Sequence, residues 1–261
     1  MSFSLVPGFN QRYPLDRDND SFARSEPFRA SGGACEIRHA RLDRASLLIE
    51  SCCTTLDQAL AAQSRGAGRI ELCTDLSVGG LTPPRDLIRD VVSSLTIPVN
   101  VLIRPRTECD SENPFGFSAA DFVYDEADLR QMIADIEYCK SVGAAGIVVG
   151  ALTPEGAVDL PAMRRLVAAA RPLPVTFHRA FDVCTEDPFV AFDKIIFLGC
   201  SRLLSSGQAP TAWDGRNLLT LLVRRAGSRL IVMPGCGITP DKLSALAAAT
   251  CAVEFHGTRI P

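Results

Sequence analysis

The sequence predicts an α/β protein, a (β/α)8 barrel that lacks its last helix and carries a disordered N-terminal extension. From Leu47 onward, short apolar runs alternate with amphipathic helical patterns, as parallel strands connected by helices do. No Gly-x-Gly-x-x-Gly motif follows the first run, which disfavours an open dinucleotide-binding sheet. The eight strand-like runs lie near residues 47–53, 68–73, 97–103, 145–151, 173–178, 201–205, 229–233 and 252–256.

Helical patterns fill the gaps between these runs, for instance at 56–63 and 128–136. Several of them end in a glycine shortly before the next strand, as a residue in left-handed conformation after a helix C-terminus would. These glycines are Gly66, Gly143, Gly199 and Gly227. The boundaries of helix and strand are therefore marked along the chain.

The chain divides into two parts by composition. Residues 1–44 are rich in Arg, Asp, Ser, Asn and Gly without helical or strand periodicity, so we expect a disordered extension. Residues 45–261 form the predicted barrel domain. The sequence ends at Pro261, soon after the eighth run, so we expect apolar surface on strands eight and one to be exposed and the monomer to be marginally stable. The long segment 104–124 is expected on the active face.

Composition excludes several classes of function. A formal net charge of -3 gives no electrostatic case for binding nucleic acid or an anionic membrane, and no run reaches the roughly 18 apolar residues of a membrane span. The 10 cysteines are scattered through strand-like and helical runs. In a chain that can bury its own core, this distribution favours reduced thiols and a cytoplasmic protein. No Cys-x-x-Cys pair suggests a structural zinc site.

Side-chain alternation along the strands predicts a polar barrel interior. Glu50 and Glu71 are expected to point inward, and because buried carboxylates are costly they require partners, for which Arg104, Arg106 and Arg179 are candidates. A purely structural charge network would explain the same pattern. The inward set is Glu50, Cys52, Glu71, Cys73, Asn100, Arg104, Thr176, His178, Glu254 and His256.

Other residues near the strand ends could bind or react with a ligand. His178 can act as an acid or base near neutral pH, and Arg179 or Arg104 could bind a phosphate or carboxylate. Two glycine-containing turns follow strands six and seven, and their backbone N–H groups could bind an anion. Ordinary tight turns are an equal alternative. The turn residues are Ser206, Gly207, Gly235 and Gly237.

Several motifs together resemble the CutC copper-homeostasis proteins. They include Ile-Glu-Ser-Cys at 49–52, Arg-Ile-Glu-Leu-Cys at 69–73, Ile-Arg-Pro-Arg at 103–106, Thr-Phe-His-Arg-Ala-Phe-Asp at 176–182 and Glu-Phe-His at 254–256. The resemblance covers about residues 47–258. It implies a TIM barrel that is cytoplasmic, or cytoplasmic and nuclear, usually a homo-oligomer, and associated with copper.

The resemblance also implies roles for particular residues. The Cu(I) thiols of the family fall on Cys52 and Cys73. Its polar pocket falls on Glu50, Glu71, Arg104, Arg106, His178, Arg179, Asp182 and His256. The sequence departs from the family pattern in an insertion at 107–120, in Cys236 within a glycine run, and in the missing C-terminal helix.

Two functions remain open at this point. The first is copper homeostasis, with Cu(I) bound by the thiolates of Cys52 and Cys73, since soft sulfur ligands suit Cu(I). Adjacent strands lie about 4.8 Å apart, but inward residues on neighbouring barrel strands fall in different layers, so we expect the two sulfurs not to be level. The second is an enzyme that acts on a small anionic or phosphorylated metabolite. Its catalytic residues would be Glu50, Glu71, Arg104, His178, Arg179 and His256.

Overall fold

The computed structural model describes residues 47–107, 116–258 and 260. The disordered extension predicted for residues 1–44 lies outside the described residues. Eight strands form the sheet and are numbered in chain order. They are β1 Leu48–Cys53, β2 Arg69–Leu72, β3 Val99–Leu102, β4 Gly146–Val149, β5 Val175–Phe177, β6 Arg202–Ser205, β7 Ile231–Pro234 and β8 Glu254–Gly257.

Within the described residues, seven α-helices connect the eight strands. Their bounds are α1 Leu56–Ser64, α2 Arg85–Ser94, α3 Glu126–Ser141, α4 Leu160–Ala170, α5 Pro188–Phe197, α6 Arg216–Ala226 and α7 Pro240–Thr250. Local sequence sets their ends: Asp125 caps α3 by accepting from the N–H groups of Ala127 and Asp128. The four glycines predicted after helices all have positive φ, which confirms their role as left-handed terminators.

Every strand pairs in parallel with its neighbours, and the order β7-β6-β5-β4-β3-β2-β1-β8 brings the last strand beside the first. Between β7 and β8, the described residues form only a single bridge, from Gly235 to His256. The result is a nearly closed barrel of the (β/α)8 type, as predicted. No helix follows β8 within the described part of the chain.

Apolar side chains lie in two separate places. The large cluster fills the layer between strands and helices, where Ile70, Val101, Phe177 and Phe255 are fully buried. The small cluster lies on the other face of the strands, inside the barrel, and comprises Cys52, Cys73, Leu102 and Val148. Most other inward side chains are polar, so the stabilising hydrophobic layer is outside the barrel.

The expected exposure of strands eight and one is wrong for two outward-facing residues. Ile49 and Phe255 are buried, whereas Val253, immediately before β8, is about half exposed. One reason is that α1 packs on β1. A second is that Ile260 returns towards β8, where its side chain lies against Gly257 and is buried. None of the helices in the described residues is both long and apolar enough to cross a membrane.

Candidate functional site

The floor of the barrel contains a buried network of charged side chains. Arg69 forms an ion pair with Glu50 and a second with Glu254, with Nη2 and Oε2 2.6 Å apart. Arg202 donates from Nε to Glu254 at 2.8 Å. Asn100 adds a hydrogen bond from Nδ2 to Glu50 at 3.2 Å. Glu50 and Glu254, the two carboxylates of this network, therefore each have an opposite charge as a partner, which burial requires.

The arginine that neutralises Glu50 is not one of those predicted. Arg104, Arg106 and Arg179 were the candidates, whereas Arg69 lies directly opposite Glu50 in the pairing of β1 with β2. Its sequence position has the same parity as Glu71, so alternation along β2 already indicated an inward side chain. The predicted structural network exists, and it occupies the floor rather than the mouth of the barrel.

His256 links this network to the next layer of the barrel. Its Nδ1 lies 2.9 Å from Oε1 of Glu50 and 3.8 Å from Oε2 of Glu71. Burial alone would raise the pKa of Glu50, but the hydrogen bond and charge of His256, together with Arg69, lower it to about 2. Glu50 is therefore ionised, and Nδ1 of His256 donates to it. Burial lowers the pKa of His256, but the nearby charge of Glu71 and the bond to Glu50 outweigh it, so the pKa is raised.

Glu71 is a buried carboxyl group that is poorly neutralised. Burial and the charge of Glu50 raise its pKa to about 7, although His256 and Arg69 act in the opposite direction. Its Oε2 has no hydrogen-bond partner among the described residues. The group can therefore take up and release a proton near neutral pH.

Two thiols lie immediately above these carboxylates. Sγ of Cys52 and Sγ of Cys73 are 3.4 Å apart, and both side chains are buried. We expected the two sulfurs to lie at different levels of the barrel, and this contact between them was not predicted. Cys52 is in register with Glu71, and Cys73 is the next inward residue beyond it. The hydrogen bond with Cys73, burial and the charge of Glu71 all raise the pKa of Cys52.

Among the residues that the structure describes, one set of donor atoms is close enough to hold a metal ion. A sulfur, a carboxylate oxygen and an imidazole nitrogen lie within 4.8 Å of one another in Cys52, Glu71 and His256. These residues come from three neighbouring strands, β1, β2 and β8. Three of the residues predicted to point inward, Cys52, Glu71 and His256, therefore lie together in the structure.

A cavity of about 460 Å³ opens over this cluster. It is large enough for a small metabolite. Aromatic, basic and small side chains contribute to its wall as well as the thiols. The lining includes Cys52, Glu71, Cys73, Leu102, Arg104, Phe117, Phe122, His178, Arg179, Cys236, Thr239 and His256.

His178 presents an unusual donor to this cavity. Its Nδ1 accepts the backbone N–H of Ala180 at 3.2 Å, so the ring proton is on Nε2. Nε2 is buried and has no hydrogen-bond partner among the described residues. Burial and the charge of Arg104 lower the pKa of His178 to about 3, so the ring is neutral. The ring rests against Gly150, where a Cβ atom would lie 2.7 Å from it.

The arginines expected to bind an anion make bonds within the protein. Arg104 is 1% exposed, and its Nη1 donates to the carbonyl oxygens of Val78 at 2.6 Å and Gly80 at 3.0 Å. Its Nη2 lies 3.3 Å from Asp121. Arg106 similarly donates to Asp128, at 2.9 and 3.1 Å. These bonds hold the loops around the barrel mouth and engage donors that an anion would otherwise use.

Asp182 lies in the segment after β5, and its carboxylate fills the turn after β6. It accepts from Ser205 Oγ at 2.6 Å, from the N–H of Ser206 at 3.0 Å and from the N–H of Gln208 at 3.2 Å. Its other oxygen accepts from Nε of Arg179 at 2.8 Å. The turn thus already binds a carboxylate that belongs to the chain.

Two of the three glycine amides of the predicted anion site, those of Gly207 and Gly235, are also engaged. The N–H of Gly207 donates to Ser205 Oγ at 2.8 Å, and that of Gly235 donates to the Ser205 carbonyl oxygen at 3.0 Å. Gly237 has positive φ and approaches Thr211 closely. These glycines fit the alternative of tight turns that the sequence left open.

The protein is a nearly closed parallel barrel with thiols, carboxylates and imidazoles at its mouth. It therefore belongs to the barrel proteins that bind a ligand or catalyse a reaction at this end. Comparison with known proteins is more specific: the model of the CutC family matches residues 47–261, and the chain belongs to that family. A CutC family protein of Parabacteroides distasonis is 44% identical over 211 residues, covering 80% of this chain and 81% of the relative.

Two further relatives support this assignment. The mouse copper homeostasis protein cutC homolog is 40% identical over 231 residues, covering 86% of this chain and 80% of the relative. The crystal structure of CutC from Streptococcus agalactiae is 31% identical, with a TM-score of 0.74, and covers 82% of this chain and 100% of that one. The predicted family resemblance is therefore confirmed.

Proposed function

We propose that the protein serves copper homeostasis by binding Cu(I) through the thiolates of Cys52 and Cys73. The observation that carries the proposal is the 3.4 Å separation of the two sulfurs. Metal–sulfur bonds of about 2.3 Å allow two sulfurs on one ion to be up to roughly 4.6 Å apart. The pair therefore fits a shared ion with a bent arrangement and only small movements of the side chains.

Other observations agree with this function. Thiolate is the ligand type that selects Cu(I), and a relative that is 40% identical is named for copper homeostasis. Reduced thiols fit a cytoplasmic setting, and all the cysteines among the described residues are free. A homo-oligomer, as the family resemblance implies, is the assembly state that we propose. Light scattering on the purified chain tests it directly.

Titration of the full reduced chain with Cu(I), in competition with a chromogenic chelator, tests the copper site. Cys52→Ser and Cys73→Ser should each abolish the tight component. Cys139→Ser is the matched control, because Cys139 is a buried thiol on α3 that does not line the cavity. Parent-like Cu(I) affinity in the Cys52→Ser, Cys73→Ser double variant would overturn the proposal.

The pH dependence of binding gives a second criterion. Because the pKa of Cys52 is raised, Cu(I) must displace its proton at neutral pH. If both thiols lose a proton on binding, the affinity should fall by about 100-fold for each unit of decrease in pH. An affinity that does not change with pH would contradict binding by thiolates.

An enzyme acting on a small anionic or phosphorylated metabolite is the second candidate. It is favoured by Nε2 of His178, since a buried donor without a partner costs about 1–3 kcal/mol and an acceptor atom on a ligand would remove that cost. Glu71, with its pKa near 7, is the group best suited to acid–base catalysis.

Thermal shift measurements with a panel of small carboxylates and phosphates test this candidate. A ligand that stabilises the parent but not His178→Gln, in a variant that still binds Cu(I), would support an enzyme. If no member of the panel shifts the melting temperature of the parent, the second candidate fails.

A further inference from the structure

We propose that Cys52, Glu71 and His256 form a site for a borderline divalent cation, with Zn²⁺ as the best match. Their donor atoms lie within 4.8 Å of one another. Donors around a tetrahedral ion with bonds of about 2.0–2.3 Å lie roughly 3.3–3.8 Å apart, so no pair of donors needs to close by more than about 1.5 Å. This site is related to the proposed function in one respect, namely that the proposed copper site also uses Cys52.

The chemistry of the donors distinguishes this site from the copper pair. Thiolate, carboxylate and imidazole are the three side-chain groups that bind Zn²⁺ in proteins, whereas Cu(I) selects sulfur. Glu71 and His256 have no part in a two-thiolate copper site. Cys73 in turn is not a member of the three-donor cluster.

The charge of the cluster favours a dication. Zn²⁺ with one thiolate, one carboxylate and a neutral imidazole has no net charge. Cu(I) with two thiolates is anionic and would lie beside the carboxylate of Glu71 in the same buried space. Since uncompensated charge in a buried site is costly, the mixed donor set suits the doubly charged ion better.

The surroundings of the cluster are those of a metal ligand set. His256 donates Nδ1–H to Glu50 at 2.9 Å, which fixes the ring and leaves Nε2 as the nitrogen whose lone pair can bind a metal ion. Glu50 is itself held by Arg69 and Asn100. A carboxylate that orients a histidine in this way is a recurrent outer-sphere partner of zinc ligands.

Two further observations point to a bound ligand. Oε2 of Glu71 is buried and has no hydrogen-bond partner in the described part of the chain. The cluster also opens to the cavity of about 460 Å³. Three protein ligands beside open space are the pattern of a zinc ion that keeps one coordination position for water or another small molecule.

Titration of the full reduced chain with Zn²⁺, and with Co²⁺ as a spectroscopic substitute, tests the site. The Co²⁺ form should show thiolate charge-transfer absorption from Cys52. Cys52→Ser, Glu71→Gln and His256→Gln should each weaken Zn²⁺ binding by about 100-fold or more. Cys73→Ser should leave it within a few-fold of the parent. Cys53→Ser is the matched control, since Cys53 neighbours Cys52 in the chain and does not belong to the cluster.

The two proposals fail in different ways. Cu(I) binding that requires both thiols, without stoichiometric Zn²⁺ binding to the parent, would overturn this inference and leave the proposed function intact. Zn²⁺ binding that survives His256→Gln and Glu71→Gln would also overturn it. Circular dichroism and thermal melts identify variants that do not fold. Where a variant does not fold, the Co²⁺ absorption of the parent decides the question: a thiolate band supports the site, and its absence contradicts it.

Discussion

Glu50 and His256 face each other in register across the pairing of the first strand with the last, and their side chains are 2.9 Å apart. The contact joins the two ends of the barrel sequence. It also connects the ion pairs at the floor of the barrel, whose charges neutralise one another, to the mouth of the barrel. At the mouth, buried donor atoms remain available to a ligand. The barrel is thus divided between a structural floor and a chemically active mouth.

Replacing Arg69 by Met should destabilise the protein by about 3–5 kcal/mol, because Glu50 and Glu254 would lose a buried counter-charge. Arg225→Met is the matched control. Its ion pair with Asp193 is more than 40% exposed at both side chains, so its loss should cost less than about 1 kcal/mol. Urea denaturation gives both values. Equal effects of the two substitutions would contradict the structural role of the floor.

His178 should make the protein sensitive to acid. Its pKa falls from 6.5 to about 3 on folding, chiefly because the ring is buried. As the pH drops, the unfolded chain takes up this proton first, so stability is lost from about pH 6.5 downward. His178→Gln should remove this loss, which amounts to about 3 kcal/mol between pH 6.5 and pH 4. Denaturation curves at a series of pH values measure it, and parallel profiles for parent and variant would contradict it.

Gly146→Ala should disturb the floor through Asn100. These residues are in register on β3 and β4, and a Cβ atom on Gly146 would lie 3.0 Å from Cγ of Asn100 and 3.2 Å from the carbonyl oxygen of Pro174. We expect a cost of about 1–3 kcal/mol from overpacking. The double variant with Asn100→Ala should relieve part of it. Strict additivity of the two substitutions would show that they do not interact.

Asp182→Asn should destabilise the turn after β6. The carboxylate accepts from two backbone N–H groups, from Ser205 Oγ and from Arg179, and the amide cannot accept all of these bonds. A loss of about 3 kcal/mol is expected, and chemical denaturation measures it. If the turn instead exists to bind an external anion, the variant should stay stable and gain affinity for inorganic phosphate.

Much of the fold could be predicted because its signals are local. The alternation of apolar and polar residues gave the eight strands and placed Glu50, Glu71 and His256 inside, and glycine marked the helix ends. The partner of Glu50 could not be found in this way, since it depends on the register between β1 and β2, which periodicity along one strand does not encode.

The same limit applies to the site. Whether Cys52 and Cys73 touch depends on strand tilt and side-chain rotamers, and alternation alone predicted only that both point inward. Asp182 forms hydrogen bonds with the Ser205–Gly207 turn, although more than 20 residues separate them in the sequence. Glycine in a turn indicates its backbone conformation, but not which acceptor its amides bind.

The small apolar cluster inside the barrel is separated from the large one by the strands themselves. Mutational tolerance should follow this partition. Substitutions among Cys52, Cys73 and Leu102 alter the lining of the cavity while the outer layer, on which folding depends, keeps its packing. Divergence among homologous barrels can therefore change what the mouth recognises at little cost to the scaffold. An engineer who wishes to give this protein a new ligand can begin with those three positions.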